Sequence, residues 1–159
     1  MKHAIKLSLV LLAAVLLSGC SDSASSFNWK FWEKSAAVPV EFKIAEFKPA
    51  AGLVKTALPD SDQVVYLHPK ALLTNADIAS TAVSSGDNGH IIEVIFTEAG
   101  RKAFAKVTTE NIDKHLVIIA DGEIVSAPII KAPITGGAAL IAGEFTKEEA
   151  ERIANGITK

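Results

Sequence analysis

Asp121-Gly122 separates two runs of strand-forming residues, His115 to Ala120 with Leu-Val-Ile-Ile at its centre, and Glu123 to Ala127. In that setting Asp-Gly predicts a two-residue hairpin turn. The turns that match the twist of paired strands need positive φ, which glycine adopts freely and aspartate tolerates. A chain with a hairpin in its most apolar stretch must build a sheet, and its other elements have to pack around that sheet. Val40, Phe42 and Ile44 alternate with Glu41 and Lys43, the signature of a half-buried strand. Val64 to Leu67, ended by Pro69, and Ile91 to Phe96 read as further strands, as does Ala138 to Ala142 between Gly136-Gly137 and Gly143. Pro49 to Pro59 and Ser84 to Gly89 read as loops, and Pro128 and Pro133 limit pairing beyond the hairpin.

Helical signals interrupt the strands. Thr97 can cap a helix in which Ala99, Ala103, Phe104 and Val107 share a face. Thr146 and Glu149 form a capping box ahead of Ala150, Ile153, Ala154 and Ile157, an i, i+3, i+4, i+7 stripe. Thr74 and Asp77 have the same box spacing, and Ile78, Ala79, Ala82 and Val83 behind them predict another helix. Strands and helices mix irregularly around a hairpin. The expected class is α+β, a small mainly antiparallel sheet with helices packed on one face.

The first twenty residues read as an address. Lys2 and Lys6 precede an apolar run from Leu7 to Leu17, and Ser18, Gly19 and Cys20 follow. A basic start, a short apolar stretch and small residues at the cut describe a secretory signal over residues 1–19. The run is shorter than the roughly 18 apolar residues of a membrane span. Leu17-Ser18-Gly19-Cys20 resembles the bacterial lipobox, and the chain's only cysteine falls on its modified position. That resemblance implies cleavage before Cys20, a diacylglycerol on its sulfur and an acylated amine, with the lipid bilayer as a partner. Two or three acyl chains anchor firmly where one binds only marginally. Ser21 resembles a signal for transfer to the outer membrane. The expected location is the bacterial cell envelope, facing the periplasm.

Residues 20–38 read as a lipidated tether and residues 39–159 as the domain. Phe27, Trp29, Phe31 and Trp32 crowd the tether beside Lys30 and Lys34. Three readings stay open: an interfacial anchor of aromatic rings and lysines, a partner-binding patch, or a segment that folds back over the domain. Trp29, Phe31 and Trp32 are the candidate membrane or partner contacts.

Composition narrows the function. The 159 residues are 49% hydrophobic and 21% charged, so the chain can bury a core. The net charge is −2; loss of Lys2 and Lys6 with the signal leaves 14 basic and 18 acidic residues, a net of −4. A nucleic-acid partner is disfavoured by that balance. One cysteine excludes an intramolecular disulfide and a cysteine-rich zinc site. His68, His90 and His115 lie in separate segments with no metal-ligand spacing. Thr135-Gly136-Gly137-Ala138 lacks the Gly-Lys-Ser/Thr ending of a phosphate loop, and Glu148, Glu149 and Glu151 suit the positive end of a helix dipole. No acid, base and nucleophile converge, and nothing calls for a metal or cofactor.

A set of motifs runs through the C-terminal half in fixed order. It comprises Phe96-Thr97-Glu98-Ala99-Gly100-Arg101-Lys102-Ala103-Phe104, Thr108-Thr109-Glu110-Asn111, Leu116 to Pro128, Ile134-Thr135-Gly136-Gly137, and Gly143-Glu144-Phe145-Thr146 with Glu148-Glu149-Ala150. Tyr66-Leu67 and Leu73 to Ile78 precede it. Over residues 64–157 this resembles the head subdomain of the first periplasmic domain of SecD/SecDF, the protein-export membrane protein. The resemblance implies an α+β head that contacts polypeptide outside the inner membrane. It places Asp121, Gly122, Pro128, Gly136, Gly137 and Gly143 at the family's turn positions. His115 and Ala120 depart from the residues more usual there. The membrane helices that conduct protons in that family have no counterpart here, so proton-driven pulling is not implied. The expected function is a lipid-anchored, non-catalytic module for polypeptide or another envelope protein, not an enzyme. The alternative is an accessory subunit docked on the export motor or another envelope complex. An exposed sheet edge beside the hairpin is the expected contact.

Overall fold

A computed structural model describes residues 37–59 and 61–158. The candidate contacts Cys20, Trp29, Phe31 and Trp32 lie outside the described residues. Nine strands and two helices follow in the order β1 (Val40–Glu46), β2 (Val54–Ala57), β3 (Val64–Leu67), β4 (Leu73–Thr74), β5 (Ile78–Gly86), β6 (Gly89–Phe96), α1 (Glu98–Glu110), β7 (His115–Ala120), β8 (Glu123–Ser126), β9 (Ala138–Phe145) and α2 (Lys147–Ile157). All strand pairs are antiparallel. The fold is α+β, and its strands divide between two sheets where the sequence suggested one.

The larger sheet runs β2-β3-β1-β7-β8, and β4 pairs with Glu41 and Phe42 of β1 on the side away from β7, ahead of the residues that pair with β3. β1 and β7 pair along their whole length, from Val40 opposite Ala120 to Ala45 opposite His115. β7 is buried at five of its six positions because both faces of the sheet are covered there. Leu116, Ile118 and Ala120 join the main core, whereas Val117 joins Ala45, Val65 and Leu58 in a smaller cluster. A strand covered on both faces reads as a continuous apolar run, the pattern seen in its sequence.

The smaller sheet runs β5-β6-β9. Ile92 and Val94 of β6 and Ile141 of β9 are buried in the main core. α2 packs on this sheet, and Ala150, Ile153, Ala154 and Ile157 are buried as their spacing requires. α1 lies beside β4 and β6. Phe42 of β1, Phe96 of β6 and Phe104 of α1 lock the two sheets and the helix together. Their ring centroids are 5.7, 6.4 and 4.6 Å apart pairwise. Each such ring contributes about 2 kcal/mol by leaving water.

Several expectations are corrected. The box at Thr74 and Asp77 opens only a 3-10 turn, Asn75–Asp77, and the expected helix is strand β5. Ser84 to Gly89 is not an open loop: β5 and β6 continue through it to the pair Gly86–Gly89 around a two-residue turn. The segment read as a loop before Pro59 contains β2, and β9 runs three residues past Ala142. On α1 it is Gly100, not Ala99, that is buried. A Cβ at Gly100 would collide with the carbonyl of Asp77, so only glycine lets helix and turn approach this closely. Gly156 plays the same part at the other end, where a Cβ would meet Val38. The Val38 N–H donates to the Gly156 carbonyl at 3.0 Å, which puts the start of the described chain against its closing helix.

Candidate functional site

Among the described residues the titratable groups stand in small separate sets. His68 Nε2 lies 3.0 Å from Glu46 Oε1, which also accepts from Lys114 Nζ at 3.0 Å. These hydrogen bonds, His68's first and then Lys114's, hold the Glu46 carboxyl below the ordinary carboxylate range. His90 Nδ1 faces the Phe145 carbonyl at 3.3 Å. His115 is buried, and its Nδ1–H donates to the Ala127 carbonyl at 2.7 Å. A carbonyl can only accept, so that contact fixes the ring's tautomer. The same ring packs on Phe47 with centroids 4.9 Å apart. Thus His115, at the head of β7, ties that strand to the segment after β8. Among the described residues no three His, Cys, Asp or Glu side chains are placed to hold a metal ion. No helix among them is long and apolar enough to cross a membrane.

What the fold does build is a cleft along β8. Asp121 (φ 56°) and Gly122 (φ 84°) make the predicted turn, and the Asp121 N–H donates to the Pro39 carbonyl at 3.0 Å. The turn delivers β8 to the end of the larger sheet, where it pairs with β7. Among the described residues no strand pairs with its other edge. That edge borders a cleft of about 500 Å³, with Val125, Ser126 and Ala127 on one side. Leu58 and Pro59, the β5–β6 turn and Ala142-Gly143-Glu144 of β9 form the rest. A second hollow of about 330 Å³ shares Pro59, Val125, Gly143 and Glu144 with it. The combined trough is lined by apolar Leu58, Ile91 and Val125, by acidic Asp87, Glu123 and Glu144, and by β8, whose second edge pairs with no strand among the described residues. Such a surface can hold an extended chain by hydrogen bonds, without covalent chemistry.

Of the six turn positions singled out in the sequence, Gly143 lines this trough, and Asp121 and Gly122 place its wall. Pro128 accepts from the Leu116 N–H at 2.8 Å. Gly136 is exposed, and Gly137 sits against the Arg101 side chain; neither lines the trough. The opposite wall, Leu58, Pro59 and Ile91, was not anticipated. Those residues reach the site through long-range strand order, and only the turn-rich Gly86-Asp87-Asn88-Gly89 marks their neighbourhood in sequence.

This framework, two antiparallel sheets packed around a shared core with a capped closing helix, has known counterparts. Residues 51–158 match the family model of the SecDF P1 head subdomain. The chain belongs to this family. It is 37% identical over 100 residues to protein translocase subunit SecD of Rickettsia bellii, covering 61% of this chain and 20% of that protein. It is 43% identical over 84 residues to protein translocase subunit SecDF of Thermus thermophilus, covering 52% of this chain and 11% of that protein. A solved structure of SecDF, described as a membrane component that enhances protein export, superposes with a TM-score of 0.63 at 28% identity. The match covers 91% of this chain and 71% of that one. SecDF in its super-membrane-facing form superposes with a TM-score of 0.62 at 30% identity, covering 78% and 19%. The chain therefore spans about a fifth or less of the curated relatives named here. Strand β1, the centre of the larger sheet, lies ahead of the residues matched to the SecDF head model.

Proposed function

We propose that this chain is a lipid-anchored, non-catalytic polypeptide-binding module of the bacterial cell envelope that takes part in protein export. The observation that carries the reading is the unpaired edge of β8 over a cleft of about 500 Å³, in a head domain whose relatives are translocase subunits. An extended segment adding to β8 gains a ladder of backbone hydrogen bonds, which bind with little regard to sequence. A domain that meets many different unfolded chains needs that tolerance. Acylation of Cys20 would hold the domain at a membrane surface, with residues 20–38 as the tether. Ser21 favours the outer membrane as the resting place.

The test is site-specific photocrosslinking in cells, with the photoreactive group in place of Val125 or of Lys131, away from the cleft. Capture of unfolded or newly exported chains from position 125, and not from 131, is the expected result. Equal capture from both positions, or none from 125, overturns the reading. Recovery of one fixed membrane complex from position 125 would instead establish the accessory-subunit role. The anchor has its own test: labelled fatty acid should enter the wild-type chain and be absent from Cys20→Ser.

A further inference from the structure

The trough carries a preference that strand addition alone does not give. Its lining residues include Asp87, Glu123 and Glu144, together with Glu149, whose carboxylate already accepts from Thr146 at 2.9 Å, and the only cation among them is Arg152. The Arg152 guanidinium is already 3.5 Å from Asp121 Oδ2. The apolar part is separate: Leu58, Ile91, Val125 and Ala127 line the cleft. The sign belongs to this end of the molecule. A third hollow, about 440 Å³ between α1 and the segment before β4, is lined by His68, Lys70 and Lys106 with Glu110 as its one acid.

We propose that the β8 trough selects extended polypeptide segments in which lysine or arginine alternates with apolar residues. The inference rests on the polypeptide-binding reading above and names its substrate class. Successive side chains of a strand point to opposite sides, about 3.3 Å apart along the chain. A segment added to β8 can thus seat every second side chain on the apolar wall and turn the others toward the rim carboxylates. An acidic segment would oppose like charge at the same places, and anionic lipid headgroups and nucleic acids are repelled for the same reason. A metal ion does not fit, since no three carboxylates converge among the described residues. Solvent-exposed ion pairs are weak one at a time, about fivefold in affinity at best. Several along one rim separate lysine-bearing from glutamate-bearing segments by about tenfold or more, and salt reduces the gap.

The experiment uses the full-length chain in detergent micelles and three labelled ten-residue peptides, alternating valine with lysine, serine or glutamate. Fluorescence anisotropy is expected to rank them lysine, serine, glutamate, with about tenfold between the extremes at low salt. The doubly substituted Glu123→Gln, Glu144→Gln chain should flatten that ranking while still binding the serine peptide. Three equal affinities would overturn the charge preference and leave polypeptide binding intact. Failure to bind any of the three would overturn both. A ranking that survives in the double variant would also overturn the assignment to this rim.

Discussion

Two segments open with the same box and end differently. At Thr146 the hydroxyl accepts from the Glu149 N–H at 3.2 Å, the Glu149 carboxylate accepts from the Thr146 N–H at 2.9 Å, and an eleven-residue helix follows. At Thr74 the backbone N–H likewise donates to the Asp77 carboxylate at 2.9 Å, yet after one 3-10 turn the chain becomes a nine-residue strand. A cap satisfies the free N–H groups of a first turn; it does not decide what comes next. Behind Glu149 come Ala150, Ile153, Ala154 and Ile157 at helical spacing. Behind Asp77 come Ser80, Thr81, Val83, Ser84 and Ser85, residues that lose rotamer freedom or compete for backbone bonds in a helix. Tertiary partners complete the difference. Ile78 pairs with Phe96, and the Asp77 carbonyl accepts from the Thr97 N–H at 2.8 Å, so the first box is a joint and the second a helix start.

Five experiments break or sharpen this contrast. The largest effect is expected at Asn75, inside the joint. Its Oδ1 accepts from the Val40 N–H at 2.7 Å and its Nδ2 donates to the carbonyls of Val38 and Ile157 at 2.9 Å each. Asn75→Ala strands those groups and should cost about 3 kcal/mol in urea unfolding. Gly100→Ala comes next: its methyl would push the turn off α1, at about 2 kcal/mol by the same measurement. Thr146→Ala should cost about 1 kcal/mol through the lost cap. Thr74→Ala should cost about 0.5 kcal/mol or less, because the joint is held from outside. Equal losses at the two threonines would show that both boxes act alike. The smallest effect is a pH profile. The Thr146 N–H, and after it the Thr146 hydroxyl, hold the Glu149 carboxyl below its ordinary value of 4.5. A lowered acid stabilises the fold above its unfolded value and loses that contribution as pH falls through the folded one. The melting-temperature gap between wild type and Glu149→Gln should therefore stay level down to about pH 4.5 and close only below it.

The same contrast explains what could be read in advance. β7 declared itself because a strand buried on both faces is continuously apolar, and Asp121-Gly122 because few other dipeptides suit its turn. β5 did not. It is an edge strand, Ile78 is its only fully buried residue, and its small side chains mimic helical spacing. β2, four residues between loops, is defined by its pairing with β3 and not by its own pattern. At the site, β8 and Gly143 followed from local turn chemistry. Leu58 and Ile91 were hidden, because what puts them together is the meeting of two sheets, and no short window of sequence contains both.

One consequence follows from the bond between Val38 and Gly156. A fold whose way in and way out share one doorway offers two neighbouring attachment points to whatever chain carries it. It can be spliced into the middle of a longer protein or hung at the end of a string without disturbing its interior. The module is portable, and what it is attached to, more than how it is built, sets where it works.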